Sequence, residues 1–440
     1  MAKRDEATKE LLEQAGLKNP EEIFKSQGQV KFYLVEQPIF FDENSLWWIW
    51  DKEELKWKIT DEVDILNKIE KITGEDIITP KNRTLILNSL KQECRKTKPK
   101  EIKPTWLQFK DKIYDILTGK SFAATPDYFV TNPIPWEINK NNFEETPIMD
   151  KIFEEWVGKK YVKTLYEIIS YCLLPSYPLN RLFCFLGAGM NGKSKFLELL
   201  RKFIGEENVC STELDTLIMS RFEVTRLHKK LICQMGETNF NEMNKTSIIK
   251  KLTGGDLIGF EYKNKNPFED KNYAKIIIAT NNLPTTTDKT LGFYRRWLII
   301  DFPNIFSEQK DILKDIPEEE YGCLALKCIG ILYDLLNNRK FTNEGSIEQR
   351  MEKYESKSDF LQKFLNEFTE ESINEYITKA DFRKKFASWC KENRHREMAD
   401  NTLSKNMKKR GIEFGRKYVE WLYGGQGGQL NVYLGLKWKD

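Results

Sequence analysis

The stretch Gly187-Ala188-Gly189-Met190-Asn191-Gly192-Lys193-Ser194 decides how this chain folds. It satisfies G-x-x-x-x-G-K-[S/T] in a context that gives the pattern meaning. The apolar run Leu182 to Leu186 precedes it as a strand, and Phe196, Leu199, Leu200 and Phe203 follow at i, i+3, i+4, i+7, one apolar helix face that Gly205 can stop. Glycines in such a turn let successive backbone N–H groups face inward as an anion nest. Lys193 then sets a cation on β- and γ-phosphates, and the Ser194 hydroxyl can ligate Mg²⁺. Residues 187 to 194 are therefore expected to cradle ATP with its Mg²⁺.

Outward from this loop, RLFCFL, KLICQM, KIIIAT and RWLIIDF recur between residue 181 and about residue 303. Short apolar runs bounded by glycine or polar breaks are what strands buried on both faces look like, so an α/β core with a parallel sheet is expected. The run Leu231 to Met235 leads into Gly236-Glu237, and Glu237 offers a carboxylate to hold the metal and polarise the attacking water. In KIIIATNNLP, Asn281, with Asn282 in reserve, stands at a strand end, where an amide can sense a γ-phosphate. Arg295 and Arg296 of GFYRRWLIIDF precede another strand; in ring ATPases an arginine there reaches the neighbouring subunit's γ-phosphate. Between these elements, Leu257 to Tyr262 and a return strand flank a basic turn with Lys263 and Lys265. Such a hairpin either decorates the surface or lowers its lysines into a pore to grip nucleic-acid phosphate.

P-loop, strand-end Glu237, KLTGGD hairpin, ATNNLP and GFYRR all fall within about 110 residues. In that order and compactness the chain resembles the superfamily 3 helicases, in the branch shared by poxvirus and phage or plasmid helicase-primases. PDYFVTNPIPWEINKNN, ahead of the P-loop, resembles the region that precedes the ATPase in that branch. The resemblance implies an AAA+ fold, a homo-hexameric ring with ATP hydrolysed between subunits, and 3′-to-5′ travel on single-stranded DNA at forked duplex. It implies a primase or primase-polymerase as partner, in cis or in trans. Relatives carry tandem acidic residues where this chain has Gly236-Glu237, so the second metal-facing carboxylate is missing or comes from elsewhere. A different reading is an origin-binding initiator or replication-complex loader whose ATPase sets assembly.

The flanks complete a division into four parts. Residues 1–100 read as an α+β accessory module: a short helix from Ala7 to Ala15, strand-like VKFYLVEQPIFF and SLWWIWDKEELKW, then a basic arm from Lys91 to Lys103. Residues 101–165 read as a helical collar, with a helical pattern starting at Trp106, and 166–345 as the motor. Residues 346–440 read as a winged helix, with helices near Asp359 to Glu370 and Lys379 to Asn393, a recognition helix from Asn401 to Arg410 and a wing from Tyr418 to Lys437. From Lys379 onward 15 Lys and Arg face 7 Asp and Glu, which makes Lys405, Lys408, Lys409 and Arg410 candidate phosphate contacts although the whole chain is only +3. Eight cysteines without a C-x-x-C pair and two isolated histidines give no zinc pattern. No apolar run is long enough to cross a bilayer, and the start MAKRDEATKE is too charged for a secretory signal, so a host-cell cytoplasmic location and no membrane partner are expected.

Overall fold

The computed structural model describes residues 33–73, 79–138, 145–236, 242–243, 245–263, 265–307, 311–392, 397–419 and 428–439. At its centre is a five-stranded sheet of β1 (Leu182–Leu186), β2 (Val209–Ser211), β3 (Ile232–Met235), β4 (Lys275–Thr280) and β5 (Trp297–Asp301). Its order is β2-β3-β4-β1-β5, and every neighbouring pair is parallel. All residues of β1, β3 and β4 are buried, which is why the four apolar runs read so clearly as strands. The strand that leads into residues 187 to 194 thus lies between the strand leading to Asn281 and the one that Arg295 and Arg296 precede.

Helices cover both faces. On one, α1 (Pro147–Val157), α2 (Lys159–Cys172), α3 (Lys193–Ile204) and α4 (Glu318–Asn338) pack over Phe183, Phe185, Leu298 and Ile300. On the other lie Cys184, Ile276, Ile278 and Ile299, together with Tyr354 of α5 (Ile347–Ser358) and an aromatic N-terminal sheet. That sheet is an antiparallel meander of Ile39–Phe41, Trp47–Asp51 and Lys56–Thr60. Period-2 alternation gives it two apolar faces. Phe40, Trp48, Trp50 and Trp57 join the central core, whereas Ile39, Phe41 and Trp47 meet Ile65, Ile69, Ile86 and Leu90 from the helices Glu62–Thr73 and Pro80–Cys94.

Several sequence expectations change here. Residues 33–36, expected as strand, wind helically: the Gln37 N–H donates to the Tyr33 carbonyl at 2.8 Å and Tyr33 is fully buried. The helical pattern expected from Trp106 to about residue 180 holds for α1 and α2, but its first part is instead a β-meander of Trp106–Phe109, Lys112–Asp115 and Ser121–Ala123, with Lys110 turning the first pair at φ 47°. Lys91 closes a helix and does not belong to a solvated arm, while Lys100–Glu101 pairs with Tyr128–Phe129. The Ala7 to Ala15 helix lies outside the described residues.

The C-terminal region packs around its own core of Phe364, Phe382, Phe386, Trp389, Leu403, Met407 and Tyr433. Its element order is helix Phe360–Phe368, strand Thr369–Thr378, helix Lys379–Glu392, helix Asp400–Lys409, then the hairpin Glu413–Val419 and Gly428–Trp438. The three strands form one antiparallel sheet. Among the described residues no helix is long and apolar enough to cross a membrane.

Lys275 starts β4 fully buried, its ammonium donating to the carbonyls of Leu174 and Tyr273 between the rings of Tyr171 and Tyr177. Burial pushes it down to about 7 from an ordinary 10.5. An unfolded chain therefore holds this proton more tightly than the folded one, and raising the pH above about 7 favours the fold. Urea unfolding followed from about pH 7 to 9 should show wild-type stability gaining up to about 1.4 kcal/mol per pH unit relative to Lys275→Met. Parallel pH profiles for the two proteins would refute the buried, proton-shedding lysine.

Candidate functional site

The loop between β1 and α3 is bent by backbone that few residues adopt: Gly189, Met190 and Gly192 have φ of 110°, 48° and 89°. Two of its glycines are also fixed by space. A Cβ on Gly187 would stand 2.6 Å from the Phe302 carbonyl oxygen, and one on Gly192 would stand 2.4 Å from Nε1 of Trp156. Lys193 opens α3, and its Nζ donates to the Gly187 carbonyl at 2.7 Å, to Oδ1 of Asn191 at 2.9 Å and to Oδ1 of Asn281 at 3.2 Å. The lysine and the strand-end amide, 88 residues apart, thus meet directly.

These groups line a cavity of about 990 Å³. Residues 189 to 195, Gly236 and Asn281 line it. Ile148, Ile152 and Trp156 of α1 with Phe306 and Ile312 add apolar wall, and Lys151, Glu155, Ser307 and Asp315 add polar groups. A cavity that joins a glycine-bent loop at a helix N-terminus to apolar walls suits a nucleotide. The Phe306 N–H donates to the Met190 carbonyl at 2.7 Å, so the chain after β5 is tied to the loop. Asn281, and not the reserve Asn282, lines the cavity. Ala188 and Ser194 are exposed and Asn191 is buried. Glu237 lies outside the described residues. Ile148, Ile152 and Trp156 were not singled out in the sequence, although their i, i+4, i+8 spacing marks one helix face.

The paired arginines part company. Arg296 is buried, its Nε donating to Thr253 Oγ1 at 2.9 Å, its Nη2 to the Lys250 carbonyl at 3.2 Å and its Nη1 to the Gly292 carbonyl. Burial, and then the neighbouring charge of Arg295, lower its pKa. Arg295 is exposed, and it does not line the cavity of its own chain.

Lys263 and Lys265 are exposed between the paired strands Leu257–Phe260 and Phe268–Lys271. The hairpin's base is anchored. Tyr262 Oη lies 2.8 Å from His228 Nδ1, and Asp270 lies 3.3 Å from His228 Nε2 and 2.9 Å from Lys229 Nζ. Burial alone would raise the Asp270 carboxyl, but the His228 bond and the Lys229 charge outweigh it and hold it well below the usual range. Glu62 is lowered first by its hydrogen bond from Lys91 and also by the charge of Lys265. In the tail, Lys405, Lys408 and Lys409 are exposed on Asp400–Lys409. Arg410 is turned inward, donating to Gln362 Oε1 at 2.9 Å, to the Asn406 carbonyl at 2.8 Å and to Asp359, so it clamps two helices and does not extend the lysine row.

A family model described as "Family of unknown function (DUF5906)" matches residues 185–296, from the end of β1 to the buried arginine. The chain is similar to "Putative helicase L207/L206" of Acanthamoeba polyphaga mimivirus, 23% identical over 420 residues and covering 84% of this chain and 41% of that protein. It is similar also to "Primase D5" of Fowlpox virus (strain NVSL), 26% identical over 254 residues, with 53% of this chain and 32% of that protein covered. The chain therefore spans less than half the length of these two curated relatives. A solved structure described as "The A form apo structure of NrS-1 C terminal region-CTR" aligns over 92% of this chain and 98% of that one, at 14% identity and a TM-score of 0.49. By sequence, then, this chain is a relative of helicase- and primase-named proteins of large DNA viruses, the branch that its motifs resemble.

The arginines give a direct check. Arg296→Ala leaves a hydroxyl and two carbonyls without their donor and should cost about 3 kcal/mol, whereas Arg295→Ala should stay within about 0.5 kcal/mol of wild type. Chemical denaturation of both variants measures this. Equal losses would contradict the division between a structural and an exposed arginine.

Proposed function

We propose that this chain is the motor of an ATP-driven DNA helicase of the superfamily 3, AAA+ type, working in virus, phage or plasmid replication. The observation that carries the reading is the meeting of Lys193 and Asn281 in the wall of one nucleotide-sized cavity, the two groups supplied by adjacent parallel strands. In that cavity the nest of residues 187 to 192 would hold the ATP phosphates and Lys193 would neutralise β- and γ-oxygens. Ser194 and Glu237 would hold Mg²⁺, which supplies charge neutralisation on the transferring phosphate. Glu237 would polarise the attacking water, and Asn281 would register whether the γ-phosphate is present.

Exposed Arg295 lies outside its own chain's cavity and is the better candidate to act on a neighbour's nucleotide, which makes each site shared between subunits of a ring. A homo-hexamer travelling 3′-to-5′ on single-stranded DNA is the assembly the family resemblance implies. Lys263 and Lys265 would grip the strand, and the tail, read as a winged helix, would present Lys405, Lys408 and Lys409 to duplex phosphate. A primase activity would come from elsewhere in a longer product or from a separate protein. The loader reading predicts ATP-dependent assembly without strand displacement.

Lys193→Ala should remove ATP hydrolysis while leaving the fold intact, and Glu237→Gln should bind ATP but turn over at least about a hundredfold more slowly. A Glu237→Gln protein that hydrolyses normally would move the water-activating role to another carboxylate. Arg295→Ala titrated into the normal protein should reduce ATPase activity faster than simple dilution; a linear decline would exclude shared sites.

Replacing Lys263 and Lys265 together by Ala should spare basal ATPase while abolishing its stimulation by DNA and the displacement of a labelled strand. The salt dependence of single-strand binding should flatten by about one log-log unit for each phosphate that the lysines no longer neutralise. Normal strand displacement by this variant would make the hairpin structural.

A further inference from the structure

A second polar cleft, of about 400 Å³, opens where α2 begins beside the edge strand β5, and it shares no lining residue with the nucleotide cavity. Lys160, Tyr161, Trp297, Glu344, Arg350 and Lys353 are among its walls. Arg350 is 6% exposed, yet among the described residues its Nε finds no hydrogen-bond acceptor; its contact here is with Glu344, Nη1 to Oε1 at 3.3 Å. Glu344 is already engaged by Arg181, at 3.1 Å to Nε and 3.2 Å to Nη2, so one carboxylate answers two guanidiniums. Trp297 is fully buried, and its indole N–H also lacks an acceptor among the described residues.

A buried donor without an acceptor is costly, more so when it is charged, and such groups are seldom left so unless something fills the site. The unsatisfied groups at this cleft are all donors. Two ammonium groups stand over the same ring, with Lys160 Nζ 5.3 Å and Lys353 Nζ 5.8 Å from the centre of Tyr161. Lys353 is partly occupied, donating to the Ile299 carbonyl at 2.8 Å and pairing with Asp301 at 2.8 Å, and the exposed carboxylate of Glu348 adds counter-charge to Arg350. Lys160 is exposed.

From this arrangement we propose that the cleft is a phosphate-binding site distinct from the P-loop. Arg350 supplies the buried charged donors, Lys160 and Lys353 close over the anion at the mouth, and the Tyr161 ring offers a face to whatever the phosphate carries. The volume exceeds that of phosphate alone and suits one nucleotide unit, so the phosphate belongs either to a nucleic-acid strand or to a free nucleotide or phosphate ion. The site stands whether or not the cavity at Lys193 hydrolyses ATP, because no residue is common to the two.

The test uses the full chain carrying Lys193→Ala, which weakens phosphate binding at the P-loop, and titrates inorganic phosphate, a deoxynucleoside monophosphate and a 5′-phosphorylated single-stranded oligonucleotide by calorimetry. At least one should bind, and adding Lys160→Ala should weaken that binding about tenfold, as the loss of a charge-assisted hydrogen bond does. Lys160→Ala alone should leave DNA-free ATP turnover and the melting temperature unchanged. Binding of the oligonucleotide but not of phosphate identifies a strand as the source, and the reverse identifies a free anion. Absence of binding by all three probes, or binding that neither Lys160→Ala nor Arg350→Gln alters, overturns the proposal. Should Arg350→Gln fail to fold, Lys160→Ala decides alone.

Discussion

An ammonium group held among three oxygens organises the centre of this molecule. Lys193 reaches back to the carbonyl that opens its own loop, sideways to Asn191 and across to Asn281 at the end of β4. The buried charge is tolerable only because each contact is a hydrogen bond to an oxygen, and those bonds fix the loop's curvature and its distance from the next strand. The glycines supply the bend, but Trp156 sets its limit: the indole lies so close to Gly192 that any side chain there would collide. Helix α1, far upstream of the loop in sequence, is therefore part of the loop's mould.

The sheet was legible because its strands are buried on both faces. LFCFL and IIIA hold no polar residue and ICQM holds one, the buried Gln234, so no period-2 alternation interrupts them. Val209–Ser211 escaped notice because three residues carry no period. Trp106, Phe109, Ile113 and Ile116 fit a helical spacing as well as they fit two short strands, and only the turn at Lys110 breaks the tie. Thr369–Thr378 was hidden for the opposite reason: its residues are mostly exposed, with Glu370, Glu371 and Glu375 among them, and its strand character comes from pairing with Gly428–Trp438, not from its own composition.

The candidate site shows the same boundary. Its loop, its lysine and its amide follow from residue type and spacing, since their chemistry is local. Adjacent arginines cannot be told apart that way. Arg296 satisfies Thr253 and two carbonyls while Arg295 faces solvent, a difference created by the packing of the KLTGGD turn beneath β5. Arg410 is the parallel case: at the end of a lysine-rich helix it looks like one more phosphate ligand, yet Asp359 and Gln362 claim its guanidinium. The apolar wall of the cavity, built from α1 and from the chain after β5, is invisible to any local reading because its parts lie more than a hundred residues apart.

The two-sided aromatic meander at residues 39–60 has a consequence for how this architecture can be inherited. Because Phe40, Trp48, Trp50 and Trp57 are part of the central core's wall, these strands are not a detachable cassette hung on the central sheet. A recombination event that exchanged them would strip four large rings from the back of the sheet and bare an adhesive surface. Lineages carrying this fold should accordingly vary most freely beyond the meander's outer helices, and the meander and the central sheet should travel through genomes together.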